Sequence, residues 1–199
     1  MVEIVFATSN KGKFKEVNKL FENSEIIIKS LSDFDSIAEV IEDKDTFEGN
    51  AQKKAKEIFE QVKIPVIADD SGLVVEHLNG EPGVYSARYA GENCSYADNN
   101  KKLLSELSGF EKPNKAKFVC WAVYYDGNDF INAQGEVNGE ITEQLSGTGG
   151  FGYDPLFIPD GYSKTMAEIS PEEKNQISHR GKAFRELKAK LIQKGLLHS

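Results

Sequence analysis

No apolar run in this 199-residue chain approaches the length of a bilayer-crossing helix, so it does not read as a helical membrane protein. Nothing near the N-terminus combines the basic, apolar and small-residue sections of a signal peptide. The chain enters directly into Glu3-Ile4-Val5-Phe6-Ala7, and a cytoplasmic location is expected. Cysteine is scarce: Cys94 and Cys120 fit no metal-ligand spacing and suggest no disulfide framework. Cys120, inside Phe118-Val119-Cys120-Trp121-Ala122-Val123, reads as a small buried hydrophobe. Positive charge is also short, with 24 Lys and Arg against 32 Asp and Glu, a net −8 that argues against binding long nucleic acid. A small phosphorylated ligand remains compatible, provided that a few lysines are focused on it and a divalent cation offsets the remaining repulsion. No Walker loop, serine–histidine–acid triad, internal repeat or low-complexity run is present, and His77 and His198 have no partner evident in the sequence.

What is present is an ordinary globular balance, 39% apolar and 28% charged, enough for one domain or two closely packed lobes. Val2 to Thr8 reads as a strand, followed by a helix with Phe14, Val17, Leu20 and Phe21 on one face. Ile26-Ile27-Ile28 is a second strand. Asp45-Thr46-Phe47-Glu48 has the form of a capping box before a helix carrying Phe47, Ala51, Ala55, Ile58, Phe59 and Val62, which Pro65 stops. Val66-Ile67-Ala68 is a buried strand expected to end in Asp69-Asp70-Ser71-Gly72, and Leu73 to Leu78 extends into an Asn79-Gly80 turn. A helix follows over Tyr96 to Leu107, then strands over Lys117 to Tyr125 and Asp129 to Val137 joined at Asp126-Gly127. Leu156 to Ile158 is a short strand, and a last helix runs from about Ser178 to Ile192 with Ala183, Phe184, Leu187 and Leu191 inward. Helices mixed with hairpins and crossovers predict an α/β fold on a mixed sheet.

Several groups of residues point to chemistry. Ser146-Gly147-Thr148-Gly149-Gly150-Phe151-Gly152-Tyr153-Asp154-Pro155 holds four glycines in six positions, baring backbone N–H groups beside an aromatic ring, a phenol and a carboxylate. That set suits a nucleotide, although a turn-rich hairpin connection accounts for the glycines equally well. The same glycines match the dinucleotide spacing G-x-G-x-x-G, but the match is false because a short strand follows where a helix is required. Thr8-Ser9-Asn10-Lys11-Gly12-Lys13, at the junction of first strand and first helix, is either an anion site or a plain polar cap. Asp69 and Asp70 point in opposite directions on extended backbone, so one can face a ligand while the other braces a neighbouring element. Such a carboxylate is a hard ligand for Mg²⁺ or a general base for water. Lys54 shares a helix face with Asn50. Glu42 lies in an acidic run, and Lys174, His179 and Arg180 cluster around the start of the last helix.

Taken in order, the segments resemble one family. Thr8-x-Asn10-x-x-Lys13, Thr46-Phe47-x-x-Asn50-Ala51-x-x-Lys54-Ala55, Ala68-Asp69-Asp70-Ser71-Gly72-Leu73, Pro82-Gly83-Val84-Tyr85-Ser86-Ala87-Arg88-Tyr89, Gly147 to Pro155 and Ser178-His179-Arg180-Gly181 are similar to the inosine triphosphate pyrophosphatase family, which includes the bacterial dITP/XTP pyrophosphatases. The resemblance covers Ile4 to about Leu191. It implies a long mixed β-sheet flanked by helices, in a single domain of two lobes over 1–199 with the active-site cleft between them, usually as a homodimer. It implies hydrolysis of 6-oxo purine nucleoside triphosphates (dITP, ITP, XTP) to the monophosphate and pyrophosphate, keeping deaminated purines out of DNA and RNA. By motif, Thr8, Ser9, Asn10, Lys11, Gly12, Lys13 and Lys54 hold the triphosphate, and Glu42 and Asp70 hold Mg²⁺. Asp70 also accepts the proton of water, and Ser71 touches substrate. Phe151, Gly152, Tyr153, Asp154, Lys174, His179 and Arg180 form the base pocket. Neither long nucleic acid nor a membrane is expected as a partner.

Overall fold

The computed structural model describes residues 2–22 and 25–197, so His198 lies outside the described residues. Among them are six strands and five α-helices: β1 (Val2–Phe6), α1 (Lys11–Phe21), β2 (Ile26–Ser30), α2 (Phe47–Val62), β3 (Val66–Val75), α3 (Tyr96–Leu107), β4 (Asn114–Tyr125), β5 (Phe130–Ile141), β6 (Phe157–Pro159), α4 (Pro171–Ile177) and α5 (His179–Gln193). The strands form one sheet in the order β2-β1-β3-β4-β5-β6. β1 pairs in parallel with β2 and β3, whereas β5 pairs antiparallel with β6, so the sheet is mixed and the fold is α/β. No helix among the described residues is long and apolar enough to cross a membrane.

Contacts divide the chain into two compact units, one of Met1–Asp70, Cys120–Gly135 and Arg180–Ser199, the other of Ser71–Val119 and Glu136–His179. In the first unit, alternation along β1 builds two cores. Ile4 and Phe6 face Val17 and Phe21 of α1 and Phe184 and Leu187 of α5, and Val5 and Ala7 face Ala51, Ala55 and Ile58 of α2. Phe6 meets the edge of Phe184 with ring centroids 5.4 Å apart. In the second unit, Leu73 and Val75 of β3 pack with Leu103 and Leu107 of α3, Phe118 of β4, and Leu156, Phe157 and Met166.

Three local expectations change. The N-cap of α2 is Thr46, whose hydroxyl accepts from the Gly49 N–H at 3.0 Å, so Asp45 does not close a capping box. Glu48 instead accepts from Asn132 Nδ2 of β5 at 2.6 Å. β3 does not stop at Asp69-Asp70; it runs for ten residues, and Glu76–Leu78 is a 3₁₀ turn rather than a continuation. A strand buried on both faces carries no polar/apolar alternation to reveal its length, and two aspartates in its middle disguise it as a turn. Helix α4 was not expected, although Ser170 caps it and Pro171 takes its first position, an arrangement that starts many helices.

Candidate active site

The middle of β3 carries the chemistry of the first unit. Asp69 and Asp70 are adjacent on extended backbone and take opposite directions, as alternation requires. Asp70 is 5% exposed and accepts from Asn50 Nδ2 at 3.0 Å. Asp69 is fully buried; its Oδ2 accepts from Lys13 Nζ at 2.9 Å and Arg180 Nε at 3.4 Å, with Cys120 Sγ at 3.9 Å. Its carbonyl oxygen accepts from Lys54 Nζ at 2.8 Å, and Lys54 also pairs with Glu42. Arg180 Nη1 donates to Glu16 at 2.8 Å, closing a buried network across α1, β3 and α5.

Glu42 reaches this place on an irregular segment pinned from three sides. Phe34, Ile37 and Val40 pack on the core that α2 covers. Gln61 grips Ala38, accepting its N–H at 2.7 Å and donating to its carbonyl at 3.3 Å. The Lys44 N–H donates to Asn50 Oδ1 at 2.8 Å.

Burial, and then the charge of Glu42, push the Asp70 carboxyl up to about 6, while Lys54, Asn50 and Lys13 pull the other way. Burial works against the Lys54 ammonium, but Glu42, Asp69 and Asp70 outweigh it and leave Lys54 raised. Arg180 is likewise raised, because Asp69 and Glu16 overcome the burial of its guanidinium. A carboxyl that holds its proton up to about 6 when folded, against 3.8 ordinarily, binds it more tightly folded than unfolded in that interval. The metal-free protein therefore loses stability as pH rises through the interval, by about 3 kcal/mol from this group. Urea unfolding of wild type and Asp70→Asn without metal, at pH 4 and pH 7, should show the variant gaining about 2 kcal/mol of that amount at the higher pH. A constant difference would mean that Asp70 titrates normally.

Two hard carboxylates that resist sharing negative charge are a fitting donor set for Mg²⁺, which takes one or two carboxylates and completes its shell with water and phosphate. No group of three or more His, Cys, Asp or Glu gathers as a closed cage among the described residues. Glu42 and Asp70 are the carboxylates whose chemistry fits such an ion.

At the start of α1, Asn10 is the N-cap, its Oδ1 accepting from the Gly12 N–H at 2.8 Å and the Lys13 N–H at 3.1 Å. Thr8 Oγ1 accepts from the Asn10 N–H at 3.2 Å. Two of the helix-end amides expected for an anion are thus engaged by Asn10, which leaves the Lys13 ammonium as the principal positive group there. Ser9 and Lys11 are more exposed neighbours in the same turn.

The second unit gathers the other expected residues. Asp154 Oδ2 accepts from Lys174 Nζ at 2.7 Å and from the Phe151 N–H at 2.7 Å. The Lys174 ammonium lies 4.7 Å from the centre of the Phe151 ring, and the Tyr96 ring is 6.3 Å from the same ring. Gly150 has φ +70°, and a β-carbon there would meet Asp154 Oδ2 at 2.1 Å, so this turn admits only glycine. The Gly149 N–H donates to the Ala167 carbonyl at 3.0 Å, so this glycine packs the loop down rather than baring its amide. The Gly152 carbonyl accepts from Asn100 Nδ2 at 3.0 Å, and the buried Tyr153 hydroxyl donates to the Ser86 carbonyl at 2.9 Å. His179 lies flat on Phe118 with centroids 4.7 Å apart. Ser71, half-buried, follows Asp70 in β3.

The structure thus brings Lys13, Glu42, Lys54 and Asp70 together around one strand, and Phe151, Asp154 and Lys174 around one carboxylate. Arg180, expected beside the base-pocket residues, belongs to the first unit and is held by Asp69 and Glu16. Asn50, Asp69 and Glu16 are missing from the expected site residues. The first two stand inside the quoted motifs, and Glu16 gives no signal beyond its position one turn after Lys13.

The fold is a mixed α/β sheet whose strand β3 carries Asp69 and Asp70 among lysines. The chain belongs to the Ham1 family, whose profile matches residues 4–190. It is 49% identical over 96% of its length to the dITP/XTP pyrophosphatase of Bacillus anthracis, covering 96% of that protein. It is 48% identical to the dITP/XTP pyrophosphatase of Listeria monocytogenes, over 97% of this chain and 96% of that one. Among solved structures, a HAM1 protein from Coxiella burnetii superposes with a TM-score of 0.89 at 37% identity, covering 97% of this chain and 100% of that one. The Staphylococcus aureus Ham1 protein gives 0.86 at 41% identity, over 96% and 99%.

Proposed function

We propose that this protein hydrolyses 6-oxo purine nucleoside triphosphates (dITP, ITP and XTP) to the monophosphate and pyrophosphate, using Mg²⁺. The observation that carries this reading is the grouping around β3 of the Asp70 carboxylate, Glu42 and the Lys13 and Lys54 ammoniums, with Lys54 paired to Glu42 and both lysines bonded at Asp69. That grouping sets a carboxylate base beside hard metal ligands and phosphate counter-charges. Full-length identity near one half with proteins named for this reaction supports the same assignment.

Asp70 takes the proton of the attacking water. The linkage that breaks is the one between the first and second phosphates, since the products are a monophosphate and pyrophosphate; water adds to the phosphorus nearest the nucleoside as the bond to the bridging oxygen breaks. Negative charge then moves onto the departing pyrophosphate, where Lys13 and Lys54 stabilise it. Lys54 is held at the Asp69 carbonyl, and Lys13 at the Asp69 carboxylate, until phosphate draws them away. Mg²⁺ held by Glu42 and Asp70 supplies charge neutralisation at the phosphates and eases deprotonation of water. Thr8 to Gly12 line the phosphate end, with Ser71 touching substrate. Phe151 to Asp154, Lys174, His179 and Arg180 take the base, and Arg180 or a backbone N–H near it donates to O6. Adenine would present its 6-amino donor to that donor, a buried mismatch costing about 1–3 kcal/mol. The same reading makes the chain one catalytic domain, a homodimer in solution and cytoplasmic.

The test is pyrophosphate release with Mg²⁺ from dITP, ITP, XTP, GTP, ATP and dTTP, with an EDTA control. Preference for the first three, lost in EDTA, is expected. Equal turnover of ATP, or activity confined to dTTP, would overturn the substrate class, and silence on all six would overturn the reaction.

A further inference from the structure

We propose that Asn50 is a positioning residue that locks the Asp70 carboxylate and the Glu42-bearing segment in one register. This rests on the roles given above to Asp70 and Glu42. Asn50 is 1% exposed, and both ends of its amide are used, across separations of 6 and 20 residues. Its Oδ1 accepts from the Lys44 backbone N–H at 2.8 Å, two residues after Glu42. Its Nδ2 donates to Asp70 Oδ2 at 3.0 Å, on a different element.

The polarity of the amide is fixed by its partners. A backbone N–H can only donate, so the side facing Lys44 is the carbonyl oxygen, and the side facing Asp70 is therefore the NH₂ group. A donor to a carboxylate is a charge-assisted bond, which sets the rotation of the carboxyl as well as its position. One planar group thus fixes two carboxylate carriers that are 28 residues apart in sequence, Glu42 and Asp70.

The local fold is built for this. Thr46 caps α2, and the Asn50 N–H donates to its carbonyl at 3.0 Å, which places Asn50 at the end of the first helical turn. The segment before the cap folds back over that turn closely. A β-carbon at Gly49 would meet Thr46 Oγ1 at 2.9 Å and Lys44 Cβ at 3.1 Å. The bare glycine lets the Lys44 N–H come down onto Asn50. Lys54, one turn further along the same helix face, reaches Glu42 and the Asp69 carbonyl. The face Asn50–Lys54 therefore holds the Glu42 segment through the Lys44 N–H and Glu42 itself through its charge, while Asn50 also donates to Asp70.

Asn50→Asp separates positioning from folding. It keeps the shape and keeps an oxygen for the Lys44 N–H, but replaces the donor facing Asp70 with a second acceptor. Two measurements are made beside wild type and Asn50→Ala: kcat and KM for ITP, and Mn²⁺ binding by calorimetry to the nucleotide-free protein, with thermal melting as the control of folding. In Asn50→Asp, kcat should fall about 10- to 100-fold, the usual loss when a group orienting a metal ligand is removed, with KM for ITP within about threefold. Mn²⁺ binding should change in affinity or stoichiometry in the same variant. Asn50→Ala, which loses both bonds, should lose kcat at least as strongly and weaken Mn²⁺ binding by a similar factor. A folded Asn50→Asp with kcat within twofold of wild type and unchanged Mn²⁺ binding overturns the proposal. So does a loss of activity that tracks the fall in melting temperature in both variants, since that is a structural role alone. If Asn50→Asp does not fold, Asn50→Ala decides by the same two readouts. If wild type releases no pyrophosphate from any nucleotide, the functional reading fails separately, and the Mn²⁺ titrations still test whether Asn50 orders the two carboxylates.

Discussion

Asp70→Asn should lower pyrophosphate release from ITP by about a thousandfold or more, the scale of a lost general base, while the protein stays folded. The fold survives because asparagine can turn its own carbonyl oxygen toward Asn50 Nδ2 and so keep the bond now made at 3.0 Å. What is lost is the charge. Burial and Glu42 already oppose that charge, so its removal relieves the metal-free protein at neutral pH instead of damaging it. Activity and stability should therefore move in opposite directions, which a variant that merely disturbs packing cannot do. Pyrophosphate release under single-turnover conditions, with a thermal melt of the same sample, decides the matter. Activity within tenfold of wild type in a folded sample would remove Asp70 from the proton-accepting role.

The sequence makes this residue visible for a reason that also shows where reading it stops. Asp70 stands out because two aspartates after Val66-Ile67-Ala68 have no business in a core strand, and alternation already says that they part company. That they lie inside β3 rather than at its end is not legible, since a strand buried on both faces loses the period that measures its length. The cores of α1, α3 and α5 are legible because each presents one apolar stripe; Ala183, Phe184, Leu187 and Leu191 are all fully buried as expected. Glycines are legible as turns but not in their use. The same four that suggest bare amides for a ligand include Gly149, which bonds to Ala167, and Gly150, which clears space for Asp154. Pairing is the least legible. Asn50 with Lys44 and Asp70, and Arg180 with Asp69 and Glu16, are set by which side chains three dimensions bring together.

That last network yields the second large effect. Arg180→Ala should destabilise the protein by about 3 kcal/mol, the lower end of what breaking a buried ion pair costs. Asp69 is fully buried, and Arg180 is 2% exposed. Without the guanidinium, Asp69 loses one buried cationic partner while keeping Lys13, and Glu16 loses its bond at 2.8 Å. Retention of Lys13 is what holds the cost to the lower end. For a chain of this size the loss corresponds to a fall of about 6–12 °C in melting temperature. Arg180→Lys keeps the charge but not the planar fork that reaches both carboxylates, so it should fall between wild type and alanine. An unchanged melting temperature in Arg180→Ala would mean that Asp69 is satisfied without the guanidinium. Kinetics measured well below the melting range then separate the brace from the base reader. A donor to O6 predicts that the ratio of ITP to ATP turnover falls in Arg180→Ala. Equal losses for every triphosphate would leave Arg180 only as the brace of Asp69, because a brace acts through the position of Lys13, which meets the phosphates that all these substrates share.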